Sequence, residues 1–587
     1  MKTEELIIHK EALKKASEDF DKEKLLMTEH VRDDAYHTKL AGKTAHQLRE
    51  SLSYAVALLY GDNEEEYKTA EKIIEIILKL QDKDEKSSTF GLWAYYEEEP
   101  LSQMDAPDRN WADFMGKLLL EILFVHKNKL RKDLIPDIEY ACRYACESIL
   151  RRDEGVQYTN VAFTDSLVTI ATGELLEEQR FFDYGLDKLK RFLAFETNNG
   201  GVFEYNSPCY TPLVTKDVAT FLKFVKNKEA RGYAKKINRL EWKMIAENFR
   251  ADMLRISAPQ SRAYSDFLEN SLLYGIELAC EGEVEFECEK MATIETFWTK
   301  AFCPPDLRGY FKGSLKPQSA EKLIMRGFNY PFFAFSQVAS TYHCDEFSLG
   351  TYNREELWNQ RRPLMAYIKN DGKPYCFRIR CLHDDYDFSS AQLHCVQEKS
   401  SVLGAVNFSC DRGDTHIGLD NTLNSEYNEL AVSFELEGDM SKVSTEEADG
   451  ALKLSFAGVN VCINIVAAKF GGNNIRYKLS RTENKIIYKV VLYGGERKKI
   501  NLKNTDSAYM CFTLDFEECA AKTDFSENGE FINAERSVFG KKLSVCTHKN
   551  VMPFINMMYE DKQYKDGVLL ERIAENNMFK ERIAENE

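Results

Sequence analysis

A change of hydrophobic period near Cys303-Pro304-Pro305 constrains this chain more than any other feature. Upstream, apolar residues recur at spacings of three and four: Leu48, Leu52, Ala55 and Leu59, then Tyr67, Ala70, Ile73, Ile74, Ile77 and Leu80. That spacing lines one face of an α-helix. The same pattern predicts helices over 111–127, 134–151, 161–176, 179–196, 215–227, 229–249 and 263–280. Three long connections, 82–110, 197–214 and 250–262, carry Gly, Pro, Trp and Asn instead of helix formers. Helical hairpins in succession, with special residues gathered in long loops, predict an α/α toroid over residues 1–310. Downstream the period becomes two, with Asn370-Asp371-Gly372 as a hairpin signal between alternating segments. Further strands over 391–410, 428–437, 451–468, 474–497 and 508–515 predict an antiparallel β-sandwich over 311–560, followed by a charged tail at 561–587. The fold class is therefore α+β and multidomain.

Bulk properties narrow the partners. A hydrophobic fraction of 44% with 12% aromatics supports burial and excludes a disordered chain. The formal charge of −17 opposes polyanionic backbones, so neither nucleic acid nor an anionic membrane is an expected partner. No apolar run has the length of a membrane span. The N-terminal segment is charged and lacks an apolar stretch of the secretory kind, so the expected location is cytoplasmic. The fifteen Cys include no CxxC pair, and Cys376, Cys395 and Cys462 fall in expected strands, which fits buried reduced thiols. No cofactor or metal is expected. The oligomeric state is left open.

Candidate chemistry concentrates in loops. Asn198–Tyr210 joins two expected helices; Asn206 and Tyr210 line a cleft floor, or Asn206-Ser207-Pro208 simply caps the next helix. In 256–266, Arg262 and Tyr264 beside a Pro-held loop make an anion-binding and proton-transfer pair, or an ordinary surface charge and core edge. Trp93 and Trp111, with Tyr95 and Tyr96, either stack on sugar rings or pack their loop. Trp358, Arg361 and Arg362 precede a strand, and at least one of the two arginines is expected to face an anionic substrate while the other is structural. His383 leads an acid-rich turn, with His394 and His416 downstream, and acts as a proton shuttle or is a solvated turn residue.

Together these segments resemble the heparinase II/III-like and alginate lyases. The resemblance implies a toroid followed by a β-sandwich, matched in order over nearly the whole chain. In that group an Asn on a toroid loop neutralises the substrate carboxylate, and a Tyr further along exchanges a proton. Asn206 and Tyr264 stand at about the family's separation. The family's His-rich turn is matched only loosely by His383-Asp-Asp-Tyr-Asp387, because its second His is absent.

The resemblance thus implies β-elimination on uronic-acid-containing glycans, with an acidic oligosaccharide as partner. Asn206, Tyr264 and His383 are the catalytic candidates, and Tyr210, Arg262, Trp93, Trp111, Trp358, Arg361 and Arg362 the substrate-binding ones. Two alternatives stand beside it. One is a glycoside hydrolase using Asp113 and Asp165 across a cleft. The other is a non-catalytic carbohydrate-binding protein on the same fold.

Overall fold

The computed structural model describes residues 3–33, 35, 38–198, 204–313, 319–327, 334–411, 426–517 and 522–586. The chain divides into two units. One comprises Met1–Asn198, Tyr210–Lys243 and Glu269–Arg308; the other comprises Asn199–Cys209, Met244–Leu268 and Gly309–Glu587.

The first unit is helical. It opens with α1 (Thr3–Ala16) and a small antiparallel sheet of Phe20–Asp21, Leu26–His30 and Thr44–Gln47. Then come α2 (Leu48–Leu59), α3 (Glu64–Leu80), α4 (Trp111–Glu121), α5 (Leu134–Arg152), α6 (Thr159–Leu176), α7 (Gln179–Asn198), α8 (Tyr210–Phe224) and α9 (Lys228–Asn248). Burial sorts them into two layers. In α3 only one stripe is buried: Ala70, Ile73, Ile74, Ile77 and Leu78. In α6 every residue from Thr159 to Gly173 is buried, and α2 and α4 are covered almost as fully. A helix buried all round needs neighbours all round. Accordingly α2 packs on α4, α4 on α6 and α6 on α8, while α3, α5 and α7 each back the inner helix before them.

This inner and outer arrangement is the toroid-like layering expected. Close approach within it needs glycine. A Cβ at Gly116 would lie 2.9 Å from Val168 Cγ1 on α6, and one at Gly185 2.7 Å from Ile170 Cγ1. The helix α8 starts earlier than the sequence pattern suggests, because Pro212 falls in its first turn, where no hydrogen-bond donor is needed. The stretch 263–269 is irregular instead of helical, and α10 runs only over Asn270–Ala279. No helix among the described residues is long and apolar enough to cross a membrane.

The second unit stacks antiparallel sheets. A nine-stranded sheet runs in spatial order through Arg476–Arg481, Lys485–Lys499, Glu426–Glu437, Tyr375–His383, Leu364–Ile368, Phe347–Tyr352, Ala334–His343 and Ser319–Gly327, with Tyr386–Asp387 paired beside Tyr375–His383. A seven-stranded sheet packs on it through Phe377, Phe434 and Tyr488 on one side and Leu393, Leu454 and Phe512 on the other. The sandwich has a third layer. On its far face the seven-stranded sheet offers Leu403, Ala405, Tyr509 and Cys511 to Ile532, Ala534, Leu543 and Val545 of a five-stranded sheet. The centre of the middle sheet is thus covered on both faces, and Ser401–Phe408 and Ala508–Phe516 are buried at every position. The hairpin around Asn370-Asp371-Gly372 forms as expected, with Ile368 opposite Tyr375 and Gly372 at φ +132°.

The stretch read as a charged tail contributes Lys562–Lys565 and Val568–Leu569 to the five-stranded sheet, then a helix, Leu570–Asn586, whose Leu570 and Ala574 pack on Val338. Thirteen described cysteines are free thiols, but Cys462 is disulfide-bonded, against the expectation that it is reduced.

Candidate functional site

Three irregular segments of the second unit lock together: 204–209, 256–268 and 357–363. Residues 199–203 of the first loop lie outside the described residues. Asn206 adopts a left-handed conformation, φ +55°, which Asn tolerates better than most residues. Its buried amide donates to the carbonyls of Ser257 and of Pro259, the latter at 3.0 Å. Both donors are thereby committed to holding the 256–260 backbone, and only Oδ1 has no partner. The Ser207 hydroxyl donates to the Arg262 carbonyl at 2.7 Å, and Ser261 N–H to the Tyr205 carbonyl at 3.1 Å.

The third segment closes on the second through a backbone bridge between Gln260 and Arg362 and through Ala263 N–H to the Gln360 carbonyl, 2.8 Å. Arg262 Nε donates to Gln360 Oε1 at 2.9 Å, and both Arg262 and Arg361 lie over the Trp358 ring, 5.6 and 5.5 Å from its centroid. Arg361 pairs with Glu356 at 3.3 Å and donates to the Ser261 carbonyl at 3.0 Å. Arg362 is held by Asp266 and by the carbonyls of Asn359 and Arg361. Asn206, Arg262, Tyr264, Trp358, Arg361 and Arg362 are therefore brought together. Of these, Tyr264 reaches solvent most, at 62% exposure.

His383 is not part of this group. Along Tyr375–His383 side chains alternate between faces, and Phe377, Ile379 and Cys381 point into the core between the sheets. His383 shares their parity and meets the rings of Phe388 and Tyr427 at 5.6 and 5.4 Å. Arg378 and Arg380 occupy the opposite face, where Arg378 pairs with Asp266 of the Tyr264 loop at 2.9 Å. Nor do the neighbouring acids serve His383: Asp384 pairs with Arg497 at 2.8 Å and Asp387 with Arg380 at 2.7 Å. His394 is wholly buried, donates from Nε2 to Asn407 Oδ1 at 2.9 Å and accepts at Nδ1 from Gln563 Nε2 at 3.3 Å. His416 lies outside the described residues.

The aromatic candidates of the helical unit are packing residues. Trp93 is buried and donates Nε1–H to the Ile77 carbonyl at 2.9 Å. Trp111 is buried against Tyr95, ring centroids 4.8 Å apart. Neither ring face is left for a sugar. Tyr210 is the first, half-buried residue of α8.

Asp113 and Asp165 are fully buried and share Arg152, which pairs with Asp113 at 2.9 Å and with Asp165; Lys188 pairs with Asp165 too. Burial drives the Asp113 carboxyl well up, against the pull of Arg152 and with the push of Asp165. Two carboxyls joined by one guanidinium leave no room for a glycosidic bond, so the hydrolase assignment to this pair is overturned by geometry.

The sequence reading missed a second polar group, on the inner helices of the helical unit. Arg49, Glu50 and Ser53 come from α2, Lys117 from α4, Lys216 and Asp217 from α8, and Glu295 from the segment after α10. Lys117 pairs with Asp217 at 2.6 Å, Thr164 Oγ1 donates to Asp217 at 2.9 Å, and Ser53 Oγ donates to Glu295 at 2.6 Å. Burial holds the Glu50 carboxyl above its usual range, opposed by Arg49 and aided by Glu295. Burial would raise Glu295 as well, but Arg49, the Ser53 hydroxyl, Lys117 and Lys216 outweigh it and hold that carboxyl low. Burial also lowers Lys216. A carboxyl held above its usual range beside one held below it is an acid–base arrangement. The signal in the sequence was charge inside otherwise apolar helices, as in Met115-Gly-Lys117-Leu.

With this geometry in hand, comparison with known proteins gives the following. The family model of a domain of unknown function (DUF8769) matches residues 12–277. No curated protein matches the chain. Among solved structures, heparinase III is 10% identical, with 86% of this chain and 82% of that one covered and a TM-score of 0.44. A chondroitin AC lyase of Streptomyces coelicolor A3, in complex with chondroitin sulphate, is 8% identical over 86% and 84%, TM-score 0.44. A xanthan lyase of Paenibacillus is 9% identical over 86% and 60%, TM-score 0.41.

Proposed function

We propose that the protein cleaves acidic oligosaccharides by β-elimination, with Tyr264 as the group that moves the proton. The observation that carries this reading is the placement of Tyr264: an exposed phenol on a loop fixed at both flanks, with Arg262 two residues away and lying over Trp358. Elimination from a uronic acid removes the weakly acidic C5 proton, and negative charge builds on the carboxylate. A cation held beside that charge favours the transition state over the substrate. A phenolate stabilised by cations can take the C5 proton, and the phenol so formed can give it to the leaving oxygen as the C4–O bond breaks, help typically worth about 10²–10⁴-fold. In this scheme Asn206 positions the 256–260 backbone instead of touching substrate, and His383 takes no part. The test is a screen of uronic-acid oligosaccharides for the ultraviolet absorbance of an unsaturated uronate. Tyr264→Phe should abolish it while leaving substrate affinity nearly unchanged.

A second reading, hydrolysis, is supported by the opposed environments of Glu50 and Glu295. Glu50 would donate to the leaving oxygen and Glu295 would activate water. Loss of turnover in Glu50→Gln, with full turnover in Tyr264→Phe, would favour it over elimination.

A further inference from the structure

The buried arginines of the second unit come with carboxylates. Arg250, Arg354, Arg362 and Arg536 pair with Asp252, Glu571, Asp266 and Asp515. Arg255 is the exception among the described residues. It sits opposite Arg250 on a two-stranded ribbon and is 7% exposed. Its Nη1 donates to the adjacent Leu254 carbonyl at 2.7 Å, its Nε has no acceptor, and no carboxylate pairs with it. A guanidinium cannot shed its charge in a protein, and a buried charge without a counter-charge is costly. Burial accordingly pulls Arg255 below its usual range, with only weak support from Tyr367 and Cys376.

A second cation without a counter-charge stacks on the same ring. The Phe267 ring has Arg255 Cζ 5.1 Å and Lys373 Nζ 3.5 Å from its centroid. Lys373 is exposed, follows the Asn370-Asp371-Gly372 turn and makes no ion pair among the described residues. The ring attracts each cation, but it does not neutralise either, and the two repel one another. An oxygen anion would satisfy both. We propose that Arg255 and Lys373 form an oxyanion site beside Phe267, taking a carboxylate or sulfate carried by a sugar. The choice of a sugar rests on the function proposed above. The anion site itself rests on the unpaired cations. Arg255 offers its fork to two oxygens, Lys373 a point charge, and Phe267 an apolar edge for the ring that bears the anion.

The test is calorimetric binding to the full chain at low salt, using a glucuronate-containing disaccharide, inorganic sulfate and the uncharged disaccharide cellobiose. The glucuronate sugar is expected to bind and cellobiose not; sulfate binding in addition marks the site as selective for charge, and its absence as selective for the planar carboxylate. Arg255→Gln should weaken binding about tenfold or more. Lys373→Glu, at an exposed position, should abolish it and raise the melting temperature, since it supplies Arg255 with the missing carboxylate. That variant keeps the test decisive if Arg255→Gln does not fold. Failure of both anions to bind, or an affinity unchanged within about twofold in Lys373→Glu, would overturn the site. Because the readout is binding, an absence of elimination activity leaves this inference standing.

Discussion

His126 offers a stability effect whose size follows from the structure. It ends a π-helical turn, Ile122–His126, that follows α4. The ring is 3% exposed, meets Tyr60 edge-on at 4.4 Å, and neither nitrogen has a hydrogen-bond partner. Burial, then the charges of Lys129 and Lys223, pushes its pKa from 6.5 down to about 3. The folded state therefore takes up the proton later than the unfolded chain. Its stability is complete above pH 6.5 and falls as the pH drops from 6.5 towards 3. The slope in that window is about 1.4 kcal/mol per pH unit, so lowering the pH from 7 to 5 costs about 2 kcal/mol through His126 alone. His126→Phe keeps a ring against Tyr60 and removes the titration. Urea unfolding of both proteins at pH 7 and pH 5 checks this. The native protein should lose about 2 kcal/mol more than the variant between the two conditions. Equal losses would refute the reasoning, and with it the view that this imidazole is kept neutral by its surroundings.

Three further outcomes are expected. Arg152→Met strands the buried Asp113, leaves Asp165 to Lys188 alone, and should lower stability by about 3–5 kcal/mol in the same unfolding measurement. Asn206→Ala leaves the buried carbonyls of Ser257 and Pro259 without their donor, at about 1–3 kcal/mol, and should loosen hydrogen-exchange protection of 256–260 first. Gly185→Ala forces a methyl onto Ile170 and should cost about 1–3 kcal/mol by thermal unfolding.

The layered plan was legible because outer helices such as α3 show one apolar stripe, and because the period changes at Cys303-Pro304-Pro305. The third sheet was not, since strands such as Ser401–Phe408 are buried on both faces and show no alternation to separate sandwich from stack. Around the candidate site, the grouping of Arg262, Trp358, Arg361 and Arg362 was suggested by residue types in Pro-bearing loops, but their hydrogen bonds come from segments distant in sequence. His383 was misplaced although its strand carried the answer: in Tyr375-Cys-Phe-Arg-Ile-Arg-Cys-Leu-His383 it shares parity with Phe377 and Cys381, not with the arginines. Trp93 and Trp111 look alike in sequence whether they stack on a ligand or on the protein. Arg255 has no local motif, because what marks it is a missing partner.

Mass spectrometry of cleavage products formed in heavy-oxygen water tests the central claim most directly. A uronic-acid oligosaccharide converted by β-elimination gives an unsaturated fragment and a reducing fragment whose masses together equal the substrate, with no heavy oxygen incorporated. That result is expected from the native protein, with no product from Tyr264→Phe. Fragments that together exceed the substrate by the elements of water, with heavy oxygen at the new reducing end, would mean hydrolysis and contradict the account.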